Sequence, residues 1–132
     1  MNKQKIIAFD LDDVICFRPK EYEYLGIEKY DYCEPDLKII GIINSLYSEE
    51  HTILIYTARG MSQCKGDVDK IYELLYDKTM EQLILWKVKY HKLIMGKIHY
   101  DVLIDDKSLN SNGINKDKIT NFLFEKNINE ID

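Results

Sequence analysis

The sequence predicts an α/β fold built on a mainly parallel sheet. Three observations predict it: short apolar runs without period-two alternation, helical patterns between those runs, and polar or charged residues directly after each run. The runs are residues 6–9, 53–56, 93–95 and 102–104. Continuous apolar runs bounded by polar residues read as strands buried on both faces. Strands that alternate with helices favour a parallel sheet with crossover connections.

Taken in order, the first run ends at Asp10 and is followed by Asp12. Residues 16–34 show no clean period and carry four of the ten tyrosines, at 22, 24, 30 and 32. This stretch reads either as a surface loop or hairpin, or as a flap over a site. Pro35 and Asp36 then open a helix with Leu37, Ile40, Ile43, Leu46 and Tyr47 at helical spacing; Pro35 suits a first turn. After the strand at 53–56, a second helix spans about 67–89, with Val68, Ile71, Leu74, Leu75, Met80, Leu83, Ile84 and Trp86 as its apolar stripe. Only the six residues 96–101 separate the third run from the fourth, too few for an ordinary crossover helix. Residues 91–95 are therefore either a short edge strand or merely extended. A weaker helical pattern covers 117–126, and 127–132 reads as a frayed tail.

The 132 residues make one domain, 1–132. Apolar residues at 45% and charged residues at 31% exclude a disordered or fibrous chain. A net charge of −5 counts against nucleic-acid binding. No apolar run is long enough to span a membrane, and Asp10 cuts the first run short of a signal peptide. The three cysteines, at 16, 33 and 64, form neither a zinc pattern nor a disulfide frame, and the expected location is the cytoplasm. His51, His91 and His99 share no spacing and read as structural or surface residues.

In open parallel sheets, ligands bind beyond the carboxyl ends of the strands. There the sequence places Asp10 and Asp12, Thr57 and Arg59, Lys97, and Asp105 with Asp106. Gathered carboxylates repel one another unless a cation or a proton joins them. Asp10, Asp12 and Asp105 around Mg²⁺, a hard cation that takes carboxylates together with waters and phosphate oxygens, would relieve that conflict. Lys97 and Thr57 would then suit a phosphate, one by charge and one by hydroxyl.

The segments FDLDDVI at 9–15, YTARG at 56–60 and GKIHYDVLIDDK at 96–107 resemble, in order, the four motifs of the haloacid dehalogenase superfamily of phosphatases. The fuller runs HTILIYTARGM and MEQLILWKVKYHKLIMGKIHYDVLIDDK are similar to its small capless members associated with capsular polysaccharide biosynthesis. The resemblance covers roughly residues 5–107. It implies a three-layer, Rossmann-like (HAD-like) fold with no cap domain, and a Mg²⁺-dependent phosphomonoester hydrolase. It implies Asp10 as the nucleophile that forms an aspartyl-phosphate and Asp12 as the general acid and base. It implies Thr57, Ala58, Arg59 and Lys97 as phosphate- or substrate-binding groups. Asp10, the Asp12 backbone carbonyl and Asp105 would be the metal ligands, with Asp106 bracing the loop or holding a water ligand. Asp13, where many members have glycine, is expected to point away from the phosphate.

The substrate expected from the resemblance is a small phosphorylated metabolite of capsular or surface polysaccharide synthesis. Without a cap, the site suits a large substrate end or closure by a neighbouring subunit of a homo-oligomer. A nucleotide or polynucleotide 3′-phosphatase is one alternative. A non-catalytic binding protein on the same fold is another; the presence of both Asp10 and Asp12 counts against it.

Overall fold

The structure is a computed structural model that describes residues 3–131, with side chains through Glu125. Its centre is a parallel sheet of three strands, β1 (Ile6–Asp10), β4 (Thr52–Thr57) and β5 (Lys92–Met95), in the order β1-β4-β5. Two short strands, β2 (Cys16–Phe17) and β3 (Glu34–Pro35), pair antiparallel outside that sheet. The helices are α1 (Leu37–Ser48), α2 (Val68–Leu85) and α3 (Lys116–Ile131), with a run of 3₁₀ turns over Lys20–Tyr32. The α/β class and the parallel sheet agree with the sequence reading, and no described helix is long and apolar enough to cross a membrane.

Each helix begins where its sequence supplies an acceptor for unpaired N–H groups. Asp36 caps α1 by accepting from Lys38 and Ile39, and Asp67 caps α2 by accepting from Lys70. Pro35 is not in the first turn of α1, as expected from sequence, but in β3, opposite Cys16. The helix α2 buries Ile71, Leu75, Thr79 and Leu83, a line with a four-residue step. Burying this line and that of α1 beside Ile53, Ile55, Leu93 and Met95 forms one continuous core. His51 and His91 are structural, as expected: their Nδ1 atoms accept the backbone N–H of Lys5 and Ile53, each at 3.0 Å.

The register decides where the polar residues go. Asp10 lies opposite Tyr56, and Thr57 lies opposite Met95, so three strands end at one edge. The Lys97 N–H donates to the Thr57 carbonyl at 3.0 Å and carries the chain over that edge. Of residues 91–95, Lys92–Met95 thus form the edge strand β5, with α2 as the crossover that precedes it.

Three expectations need correction. Residues 102–104 form no strand: Val102, Leu103 and Ile104 are 72%, 50% and 93% exposed. An apolar run shows which residues could form a strand, but not whether an edge receives them. Consequently β1 pairs on one side only among the described residues, and its Ile6 and Ala8 are exposed rather than buried on both faces. The tail at 127–132 continues α3 through Ile131, and Asp132 lies outside the described residues.

Residues 16–34 are docked rather than free. The pairing of β2 with β3 closes their base, and Gly26, at φ 63° and ψ −135°, breaks the 3₁₀ run. Gln82 Nε2 donates to the Tyr30 carbonyl at 2.7 Å, and the Gly60 N–H donates to the Tyr30 hydroxyl at 3.0 Å. Gly60 itself has φ +80°, and a Cβ there would lie 2.6 Å from Leu75 Cδ1 and 3.3 Å from Ile71 Cγ1, both fully buried side chains. Gly60→Ala should therefore lower stability by about 2 kcal/mol or more, through overpacking and left-handed strain together. The measurement is the urea midpoint, which should fall while the m-value stays unchanged.

Candidate active site

A cleft of about 390 Å³ opens at the carboxyl edge of the sheet. The loop after β1 contributes Asp10, Asp12 and Asp13 to its wall; the loop after β4 contributes Ala58, Arg59, Ser62 and Gln63. Lys97, Ile98, His99 and Tyr100 follow β5, and Arg18, Lys29 and Tyr30 come from the docked segment.

Two ion pairs organise this wall, and they differ in kind. Asp10 Oδ1 accepts the Leu11 N–H at 2.8 Å, and Oδ2 accepts from Lys97 Nζ at 3.1 Å. Their side chains are 40% and 17% exposed, so this pair faces the cleft. Burial disfavours the Lys97 ammonium, but hydrogen bonding and charge from Asp10 outweigh it and hold the pKa above its ordinary value. Lys97 also lies 5.2 Å from the Tyr100 ring centroid and 5.9 Å from that of Tyr56.

The second pair is closed. Arg59 has a side chain only 1% exposed, against 23% for Asp12. Its Nε donates to both Asp12 oxygens, at 3.2 and 3.0 Å. Its Nη1 donates to Thr79 Oγ1 at 3.3 Å and Gln82 Oε1 at 2.7 Å. Its Nη2 donates to Asp12 Oδ1 at 3.1 Å and lies 3.6 and 3.5 Å from the Cys16 and Cys33 sulfurs. A guanidinium has five N–H donors, and these contacts engage every nitrogen. Burial opposes the charge, yet Asp12 outweighs it and raises the Arg59 pKa. Arg59 thus holds Asp12 in place and has no donor left over for a phosphate.

Both sulfurs lie 3.6 Å from Asp12 Oδ1. Cys33 is shifted below the ordinary thiol range, first by the hydrogen bond from Cys16 and then by the Arg59 charge; Cys16 is shifted above it, first by that same bond and then by burial. The ligand atoms of Asp12, Cys16 and Cys33 lie within 4.8 Å of one another. By number they could hold a soft cation, but the Arg59 guanidinium sits among them in that role.

The other sequence-derived residues divide. Asp10, Asp12, Ala58, Arg59 and Lys97 come together at the cleft. Thr57 is buried, its Oγ1 accepting the Arg59 N–H at 3.1 Å, and Ala58 forms the wall in its place. Asp105 is exposed, its Oδ1 accepting the Lys107 N–H at 3.0 Å, and it does not line the cleft. Its displacement follows from the missing strand at 102–104. Asp13, expected to point away, contributes to the wall from a backbone at φ 67°, and His99 lies at the rim rather than apart from the site.

Sequence reasoning missed Arg18, Lys29, Tyr30, Thr79 and Gln82. One signal was available: Thr79 is the polar member of the buried line Ile71, Leu75, Thr79 and Leu83, and a buried hydroxyl needs a partner.

The chain matches no protein-family model and no curated protein. A structural-genomics target from Vibrio cholerae, known from its crystal structure, has a similar fold. The TM-score is 0.75 at 23% sequence identity, over 93% of this chain and 99% of that one. At that identity the likeness establishes the fold alone.

Arg59→Ala should leave Asp12 and the two thiols without their counter-charge. The expected loss is on the order of 3 kcal/mol in urea unfolding, as for a broken buried pair. Lys97→Ala, at the more open pair, should lose clearly less. Equal losses for the two variants would mean that burial does not distinguish the pairs.

Proposed function

We propose that the chain is a Mg²⁺-dependent phosphomonoesterase of haloacid dehalogenase type, acting through an aspartyl-phosphate on Asp10. The substrate is a small phosphorylated metabolite, and surface-polysaccharide synthesis is the pathway suggested by the sequence resemblance. One observation carries the reading: Asp10 faces a cleft at the carboxyl edge of a parallel sheet, with Lys97 at 3.1 Å and Asp12 two residues away.

The donor set suits the ion. Asp10, half open to the cleft, offers the hard carboxylate oxygen that Mg²⁺ prefers, and the ion needs only one or two carboxylates. Asp10 and the main-chain carbonyl of Asp12 would hold it. Asp105 would join them only if residues 102–104 added to the open edge of β1, a step for which their exposure and that unpaired edge leave room. Bound there, the ion supplies charge neutralisation for a phosphate dianion beside carboxylates.

The chain's own groups supply the chemistry. An Asp10 oxygen attacks phosphorus; a P–O bond forms to Asp10 as the ester P–O bond breaks. Lys97 orients the Asp10 carboxylate and offsets charge on the transferring group. Asp12 gives a proton to the leaving oxygen, then takes one from the water that attacks the phospho-enzyme, returning Asp10 and free phosphate. Arg59 fixes one side of the Asp12 carboxylate; Oδ2 accepts a single bond at 3.0 Å and retains a lone pair for the proton.

Asp10→Asn should fold and lose turnover, because the amide keeps the shape without the nucleophilic charge. Phosphate release by the folded variant would remove Asp10 from the mechanism. Asp12→Asn should slow the single-turnover step about 10²–10⁴-fold for an alkyl phosphate, whose leaving group needs a proton. A nitrophenyl phosphate should be slowed much less, and equal losses would contradict the acid role of Asp12.

A further inference from the structure

Four cations line the cleft, and the chemistry proposed above uses only two of them. Of its four cations, Lys97 is paired with Asp10 and Arg59 is consumed by Asp12. Arg18 and Lys29 remain; Arg18 precedes the 3₁₀ run over Lys20–Tyr32, and Lys29 lies in its last turn. Both side chains are only 14% exposed, and both lean on one carboxylate, Glu23, which is 52% exposed. Arg18 and Lys29 thus share one carboxylate between two positive charges, and Asp13 is the remaining carboxylate of the wall. The longer contact is the Lys29–Glu23 pair at 3.4 Å. Glu23 binds the Nε and Nη2 side of Arg18, at 3.0 and 2.5 Å; among the described residues Nη1 donates to none.

The Tyr30 ring lies beside them. The Arg18 guanidinium and Lys29 ammonium lie 5.5 and 5.4 Å from the Tyr30 ring centroid, and Arg59 lies 4.9 Å from it. The Tyr30 hydroxyl accepts from Gly60 and donates to Gln63. The ring therefore joins the pair to the same loop that positions Asp12. A half-buried guanidinium with an open N–H face suits an oxyanion.

We propose that Arg18 and Lys29 form a second anion subsite, so that the preferred phosphomonoester carries a further oxyanion, a carboxylate or a second phosphate, away from the scissile group. This rests on the phosphatase reading for its substrate, but the subsite itself is a binding claim that can be read without turnover.

The experiment compares glycerol phosphate, phosphoglycolate and a sugar bisphosphate with Mg²⁺ present. Wild-type kcat/KM should favour at least one of the two esters with an added oxyanion by about tenfold or more, the usual worth of a hydrogen bond to a charged group. Which ester leads distinguishes a carboxylate from a phosphate. Arg18→Gln should bring that ratio close to one. Glu23→Gln removes the internal competitor and should raise it. If the pair merely braces Glu23, both variants lose stability and neither moves the ratio, which overturns the subsite. In parallel, calorimetry on the Asp10→Asn protein should give a lower Kd for phosphoglycolate or the bisphosphate than for glycerol phosphate. Turnover without any preference overturns the subsite and leaves the phosphatase standing. Preferential binding, lost in Asp10→Asn/Arg18→Gln, without turnover of any ester by the wild type, supports the subsite and overturns the phosphatase.

Discussion

A buried guanidinium organises this molecule. A charge taken out of water is tolerated only when its hydrogen bonds are filled. Arg59 fills them with the loop after β1, through Asp12, and with α2, through Thr79 and Gln82. Its Nη2 also lies against the thiols of Cys16 and Cys33, on either side of the docked segment. The loop after β1, the helix α2 and the paired base of the docked segment meet at one side chain. If one partner left, a polar group would be stranded in the interior, so the parts hold together or fail together.

That constraint divides the labour in the cleft. With Arg59 committed inward, Asp12 is fixed and its neighbour Asp10 pairs instead with Lys97. The contrast in exposure, 1% for the Arg59 side chain against 17% for Lys97, separates a closed pair from one that faces the cleft. The same closure seats Tyr30, and with it the outer cations Arg18 and Lys29. The cleft thus acquires one wall from a segment docked at its side.

Much of the architecture was legible because it depends on local pattern. The runs that became β1, β4 and β5, the capping Asp36 and Asp67, and the meeting of Asp10 with Lys97 all follow from periodicity and strand polarity. What was not legible depends on contacts between distant residues. Arg59 meets Asp12 across 47 positions and Gln82 across 23, and no spacing announces such a network. The run at 102–104 misled because its apolar character marks a capacity to pair, whereas pairing depends on an edge elsewhere in the chain. Asp105 was placed at the site on the strength of that strand and left it with the strand.

The measurement closest to the central claim is a single turnover quenched in acid, followed by mass analysis of the peptides. A nitrophenyl ester with Mg²⁺ should leave a phosphoryl adduct on the peptide containing Asp10, none in Asp10→Asn, and more of it in Asp12→Asn, which lacks the base that clears it. Phosphate release with no adduct, or an adduct on any other residue, would contradict the account.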